Sequence, residues 1–194
     1  MKPPKIYPSD LTVSQYKLIS RFLPRAKSGP GKKGRPACDL LTVINGILYV
    51  NKAGCQWRML PGDFGNWNTV YGYFSRWSKN RTWKKIMTIL RKKERKRQGR
   101  KENPSAGSAD SQSVRTALQW TETGIDGGKK IKGRKRHILV DTLGLILAVT
   151  VTPANEGDRN GLKRLLRDYF SKGVNRLRKI WVDGGYSGSS IYEW

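Results

Sequence analysis

Along the first hundred residues, apolar positions recur at helical intervals. Tyr16, Ile19 and Leu23 follow Thr12 and Gln15, which have capping-box spacing, and the run stops at Pro24. Leu40, Ile44, Ile47 and Leu48 predict a second helix with Asp39 as its N-cap. Between them, residues 27–36 (KSGPGKKGRP) hold no core-forming side chain and read as a linker. Residues 54–77, GCQWRMLPGDFGNWNTVYGYFSRW, predict a turn-rich aromatic stretch leading into a helix. That helix would bury Val70, Phe74 and Trp77 and leave Asn68, Tyr71, Ser75 and Arg76 more exposed. Trp83, Ile86, Met87 and Leu90 predict a fourth helix, which runs into the polar segment 91–101.

After Asn103-Pro104-Ser105 the period changes from helical to alternating. Ala109–Val114 reads as a short strand, and the polar, Gly-rich residues 119–135 as a loop or loose hairpin. His137–Asp141 and Leu145–Thr152 read as strands joined by a turn at Thr142–Gly144. Leu162, Leu165, Leu166 and Tyr169 mark an amphipathic helix, and Lys179–Asp183 a last strand. The order of elements predicts an α + α/β chain, helical over residues 1–101 and α/β over 102–194.

Charge changes the picture most. The chain of 194 residues carries 39 Lys+Arg against 14 Asp+Glu, a net charge of +25, so a polyanion is the expected partner. Residues 1–104 hold 24 basic and 5 acidic side chains, net +19; residues 105–194 hold 15 and 9, net +6. Eight of the eleven residues 91–101 (RKKERKRQGRK) are basic, with Glu94 opposing them inside the run. A second run, KKIKGRKR at 129–136, has six basic residues in eight. Lys92, Lys93, Arg95, Lys96 and Arg97 in the first, and Lys129, Lys130, Lys132, Arg134, Lys135 and Arg136 in the second, are the candidate DNA-phosphate contacts. The competing reading of each run is a solvated face.

Seven Trp and eight Tyr argue against a disordered basic tail. Trp67, Tyr71 and Trp77 are core residues or base-stacking platforms, with core favoured for Trp77. Cys38 and Cys55 have no paired spacing, which fits a reducing cytoplasm without a zinc site. No apolar run approaches transmembrane length, so no membrane partner is expected. The single histidine, His137, leaves no basis for a His-rich metal site and little for a Ser-His-Asp triad. Hydrolytic or transfer chemistry would therefore fall to carboxylates.

Asp110 lies in the first predicted strand and Asp183 ends the last. A helix between the hairpin and the last strand allows that strand to run parallel to the first, and if the two strands are neighbours both carboxylates sit near matching ends of one sheet. Neighbouring carboxylates repel unless cations sit between them, and hard divalent ions prefer oxygen ligands. The alternative for each is a turn former or helix cap. Asp141 suits a turn and Asp158 an N-cap, while Asp168 and Glu193 read as surface residues.

Taken together, residues 54–77 and the blocks ADSQSVRT, KGRKRHILVDTLGLILAVTVTPANEGDRNG and IWVDGGYSG resemble bacterial insertion-sequence transposases of the IS-five group, within the DDE class. The resemblance covers nearly the whole chain. It implies an N-terminal helix-turn-helix-like domain that binds the element's terminal inverted repeats, and a C-terminal ribonuclease-H-like domain. It further implies that Asp110 and Asp183 are catalytic and ligate Mg²⁺ or Mn²⁺ for strand cleavage and transfer into target DNA. A homodimer in the DNA complex and a cytoplasmic, nucleoid-associated location are expected with it. The family's third carboxylate, a Glu in a downstream Tyr-Arg-Glu-Lys pattern, has no counterpart in this sequence, and Glu193 does not fit that pattern. The expected ribonuclease-H-like domain is therefore incomplete, with apolar sheet surface left uncovered. The alternative function is a catalytically inactive, truncated transposase that acts as a DNA-binding remnant or inhibitor.

Overall fold

The computed structural model describes residues 7–24, 38–116, 122–171, 173 and 176–186. The 27–36 linker and Glu193 lie outside the described residues. Contacts divide the chain into two units, Met1–Met87 and Thr88–Trp194, and the division falls inside a helix.

The first unit is built from helices. Helix α1 (Val13–Ser20) starts at Thr12 with both halves of the capping box formed. Helix α2 (Leu40–Ala53) is capped by Asp39, which accepts from the Leu41 and Thr42 amides, and ends at Gly54 in the left-handed conformation. Two short 3-10 turns, Trp57–Met59 and Gly62–Phe64, lead to helix α3 (Trp67–Lys79), capped by Asn66. Helix α4 (Thr82–Arg97) is the one within which the units divide. Ile44, Ile47, Val70 and Trp77 are almost wholly buried, and Gly46 lets α2 come within 3.1 Å of Phe64 Cβ at an ideal Cβ position. Phe74 is half-buried and packs on Trp57 at a ring distance of 5.1 Å. Met87, expected inside, is 49% exposed. Ile86 and Trp83 supply the inward face there, and a flexible thioether is cheap to leave in water.

The second unit is a five-stranded mixed sheet with a helix on one face. Its strands are β1 (Ala106–Arg115), β2 (Gly124–Asp126), β3 (Ile131–Asp141), β4 (Ile146–Pro153) and β5 (Lys179–Trp181). β3 lies antiparallel between β1 on one side and β2 and β4 on the other, and β5 extends the sheet parallel to β1. Helix α5 (Asp158–Phe170) packs on β4 and β3. Leu139, Leu147, Leu162, Leu165, Tyr169 and Leu177 form the core between helix and sheet, with Tyr186 joining it. On the other face Ile146, Val149, Val151 and Trp181 remain exposed.

The region 119–135 departs from the expected loop. Its described part forms β2, a turn over Gly127–Lys130, and the first half of β3. Positive charge hid the alternation. Gly133, Lys135, His137, Leu139 and Asp141 point to the helix-covered face, while Lys132, Arg134 and Arg136 point away. A β-bulge between Leu139 and Val140 explains why Leu147 and Ala148 are buried consecutively in β4.

Candidate active site

β1 and β5 pair in parallel with register Ala106↔Lys179, Gly107↔Ile180 and Ser108↔Trp181. Asp110 and Asp183 each stand two residues beyond that last pair, so two carboxylates distant in sequence share one offset from the end of the β1–β5 ladder. Both are exposed. The sequence allowed this pairing without fixing it. The crossover through β3, β4 and α5 fixes it, because it returns the chain beside β1 rather than on the far edge. Asp110 Oδ1 accepts from the Ser111 amide at 2.7 Å, which orients the carboxylate.

Side chains alternate along β1, so Asp110 lies on the open face and Ser111 on the helix-covered one. Ser111 Oγ donates to Asp158 Oδ1 at 2.8 Å, and Lys135 Nζ lies 3.0 Å from the same oxygen. Lys135 also donates to the Glu156 carbonyl at 3.0 Å and lies 3.7 Å from Asp126, whose carboxylate accepts from Ser113. Burial alone would raise the Asp158 pKa, but the Ser111 and Lys135 hydrogen bonds outweigh it and the net shift is downward. Asp158 was expected to cap α5. The cap position belongs to Gly157, and Asp158 instead ties the first turn of α5 to β1 and β3.

Tyr186 closes this network from the far side. It is 3% exposed, and its pKa is pushed up to about 12. Burial is the main cause, opposed by a hydrogen bond with Ser111 and reinforced by the charges of Asp158, Asp110 and Asp183. A buried phenol held protonated is a poor nucleophile. Ser111, Lys135, Asp158 and Tyr186 were not singled out together from the sequence. The usable signal was the period of two in β1, which sets Ser111 back to back with Asp110.

His137 is 1% exposed, with Nε2 3.0 Å from Thr152 Oγ1. Burial lowers its pKa, with Asp158 acting the other way. Its ring occupies the space over Gly161 of α5, where any Cβ would come within 2.0 Å of the imidazole. The ring thus packs between β4 and α5.

The two basic runs differ once folded. Arg95 is 4% exposed and pairs with the buried Asp141, which also accepts from the Leu143 and Leu145 amides at 2.9 Å. Lys92 and Lys96 pair with Glu102 at 3.3 and 2.6 Å, and Arg97 pairs with Glu94 at 2.7 Å. Glu102, outside the run, thus joins Glu94 in opposing it, and Lys93 is left exposed. In the second run Lys135 is buried, whereas Lys129, Lys130, Lys132 and Arg136 are exposed and Arg134 is half-buried. Among the described residues no carboxylate pairs with these five. Arg134 and Arg136 lie opposite Val114 and Gln112 on the open face that carries Asp110, and Arg136 donates to Gln112 Oε1 at 2.9 Å. Arg95 and Lys135, both candidate phosphate contacts from the sequence, are committed to internal ion pairs. Burying an unpaired cation is costly, and each of these two buried cations meets a carboxylate: Arg95 the buried Asp141, and Lys135 the partly exposed Asp158 and Asp126.

Asp110 in β1 and Asp183 just beyond β5 are exposed carboxylates, and carboxylate oxygen is the ligand type that a hard divalent ion takes. Among the described residues no group of three or more His, Cys, Asp or Glu side chains could hold a metal ion. No described helix is long and apolar enough to cross a membrane.

Two family models match the chain. Residues 11–87 match the model of IS4/5-family transposases, and residues 101–194 match the model named transposase DDE domain. No curated protein and no solved structure matches. A DDE domain implies a ribonuclease-H-like fold, and the mixed sheet with its covering helix is consistent with one.

Proposed function

The chain belongs to the DDE transposases of the IS4/5 family, and from that premise we propose that it binds the terminal inverted repeats of an insertion sequence and acts in metal-dependent cleavage and transfer of their strands. Asp110 and Asp183 would hold Mg²⁺ or Mn²⁺ between them. When bound, such ions activate an attacking oxygen and stabilise a leaving one. The observation that carries this reading is the common offset of Asp110 and Asp183 from the β1–β5 register.

The rest of the site supports the two carboxylates. The Ser111 amide orients Asp110, and the Ser111–Asp158–Lys135 network fixes β1 against α5. Tyr186 packs beneath the turn that carries Asp183. Lys132, Arg134 and Arg136 would hold DNA phosphates over the open face beside Asp110, and Lys129 and Lys130 at the β2–β3 turn would extend that grip. The helical first unit, which we read as helix-turn-helix-like, would contribute repeat recognition.

A second reading is a chain that binds repeats without cutting them. It is favoured by one observation: among the described residues no group of three or more His, Cys, Asp or Glu side chains could hold a metal ion. One assay separates the two. In the presence of Mg²⁺ or Mn²⁺ the protein should nick duplexes carrying the inverted repeats, and Asp110→Asn or Asp183→Asn should abolish nicking while binding survives. Normal cutting by both variants would refute the site assignment. Repeat binding by the wild type with no metal-dependent cutting would establish the second reading.

A further inference from the structure

Three glycines interrupt the α-helices among the described residues, and two have an internal reason. A Cβ at Gly46 would meet Phe64 and Val70 at 3.1 and 3.2 Å, and one at Gly161 would strike the His137 ring. Among the described residues nothing lies within 4 Å of an ideal Cβ at Gly72, in the middle of α3. Glycine weakens a helix interior relative to alanine, and no packing among the described residues offsets that cost at Gly72.

The surroundings of Gly72 indicate what would. At helical spacing Asn68, Ser75, Arg76 and Lys79 share its face, while Val70 and Trp77 are buried on the opposite one. Arg76 is exposed, its guanidinium held 4.6 Å from the Tyr73 ring centroid. No carboxylate occurs anywhere in α3. Residues 1–87 hold 16 Lys+Arg and 3 Asp+Glu, net +13. Each of those three acids already accepts a hydrogen bond near its own element: Asp10 from the Tyr7 amide, Asp39 from the α2 amides and Asp63 from the Tyr7 hydroxyl. The strip has no aliphatic side chain, so it does not suit a protein partner, for which an apolar centre is expected. It suits a polyanion that approaches closely. The major groove of duplex DNA admits an α-helix, and Asn and Arg are the side chains that pair bidentately with adenine and guanine edges.

We propose that α3 is the base-reading helix of this protein, with Gly72 the point of closest approach to the groove and Asn68 and Arg76 the residues that set sequence preference. The proposal rests on the DNA-binding reading above and names the surface that carries it.

The test begins with selection by the wild-type chain from randomised duplexes, followed by affinity measurements on the enriched duplex and on a scrambled one. Gly72→Ala should hold or raise the melting temperature yet weaken binding to the enriched duplex by about tenfold, with the scrambled duplex almost unaffected. Asn68→Ala and Arg76→Ala should each relax preference at one or two base positions. The proposal is overturned if all three variants keep wild-type affinity and preference. It is also overturned if Arg76→Ala weakens both duplexes equally, which marks a phosphate contact. If the wild type enriches no sequence, the DNA-binding reading itself fails, an outcome distinct from enrichment that the variants leave intact.

Discussion

Arg95 sits in the middle of the most basic segment of the chain, yet the structure makes it a structural cation. Arg95→Ala would leave Asp141, 3% exposed, without its charge partner and would free the Lys101 carbonyl that Arg95 Nε holds at 2.8 Å. Removing one partner of a buried pair costs about 3–5 kcal/mol, because the remaining charge stays desolvated. Against a domain stability of about 5–15 kcal/mol that is a large loss. At about 4 °C per kcal/mol for a unit of this size, the melting temperature should fall by more than about 12 °C. Lys96→Ala provides the control. Its pair with Glu102 lies at the surface, its own side chain 65% exposed, and such pairs contribute about 0–1 kcal/mol. Urea denaturation of both variants gives the stability difference, and duplex affinity against salt gives the phosphate count. The double variant Arg95→Met/Asp141→Asn should recover part of the loss, since it removes the stranded charge while a side-chain oxygen still accepts from the Leu143 and Leu145 amides. An Arg95→Ala protein with wild-type stability and a shallower salt slope would refute the reasoning and return Arg95 to the DNA surface.

Other consequences follow from the helix-covered side of the sheet. Gly161→Ala should destabilise the second unit by several kcal/mol, because its Cβ would overlap the His137 ring, and His137→Ala in the same chain should restore part of the loss; equal stability of Gly161→Ala and wild type in urea would contradict the packing. His137 also predicts a pH dependence. Its folded pKa is lowered, so below the unfolded value of about 6.5 the unfolded state binds the extra proton first, and stability should fall as pH drops from about 7 towards 5. Asp158, also with a lowered pKa, contributes stability that is lost only as pH falls below the ordinary carboxylate range. Melting temperatures of wild type and His137→Gln across that range should therefore diverge, and parallel curves would rule out His137 as the origin.

Local signals carried far in this protein. The Thr12–Gln15 box, the Asp39 cap and the Thr142–Gly144 turn formed as the sequence indicated, because each depends on hydrogen bonds within a few residues. The amphipathic helix through Leu162 and Tyr169 formed for the same kind of reason: a periodic apolar face fixes which side packs, whatever it packs on. The two carboxylates were legible as candidates, since each is an Asp on or at the end of a predicted strand, which is a local pattern. Their alignment was not, because register between β1 and β5 depends on how the intervening strands and helix return the chain.

Charge was where local reading went furthest astray. In sequence, Arg95 and Lys135 are indistinguishable from their neighbours, and a run of cations conceals the alternation that makes 131–136 a strand. Only the tertiary structure decides which cation meets a buried carboxylate and which meets solvent. Asp141 claims the first and Asp126 and Asp158 the second, through contacts between elements far apart in the chain. The sequence by itself therefore determined most of the elements, with β2 and the first half of β3 the exception, together with the two carboxylate candidates and the excess of positive charge. The fold decided where that charge is free to act, because ion pairing over long sequence separation is a property of packing and not of composition.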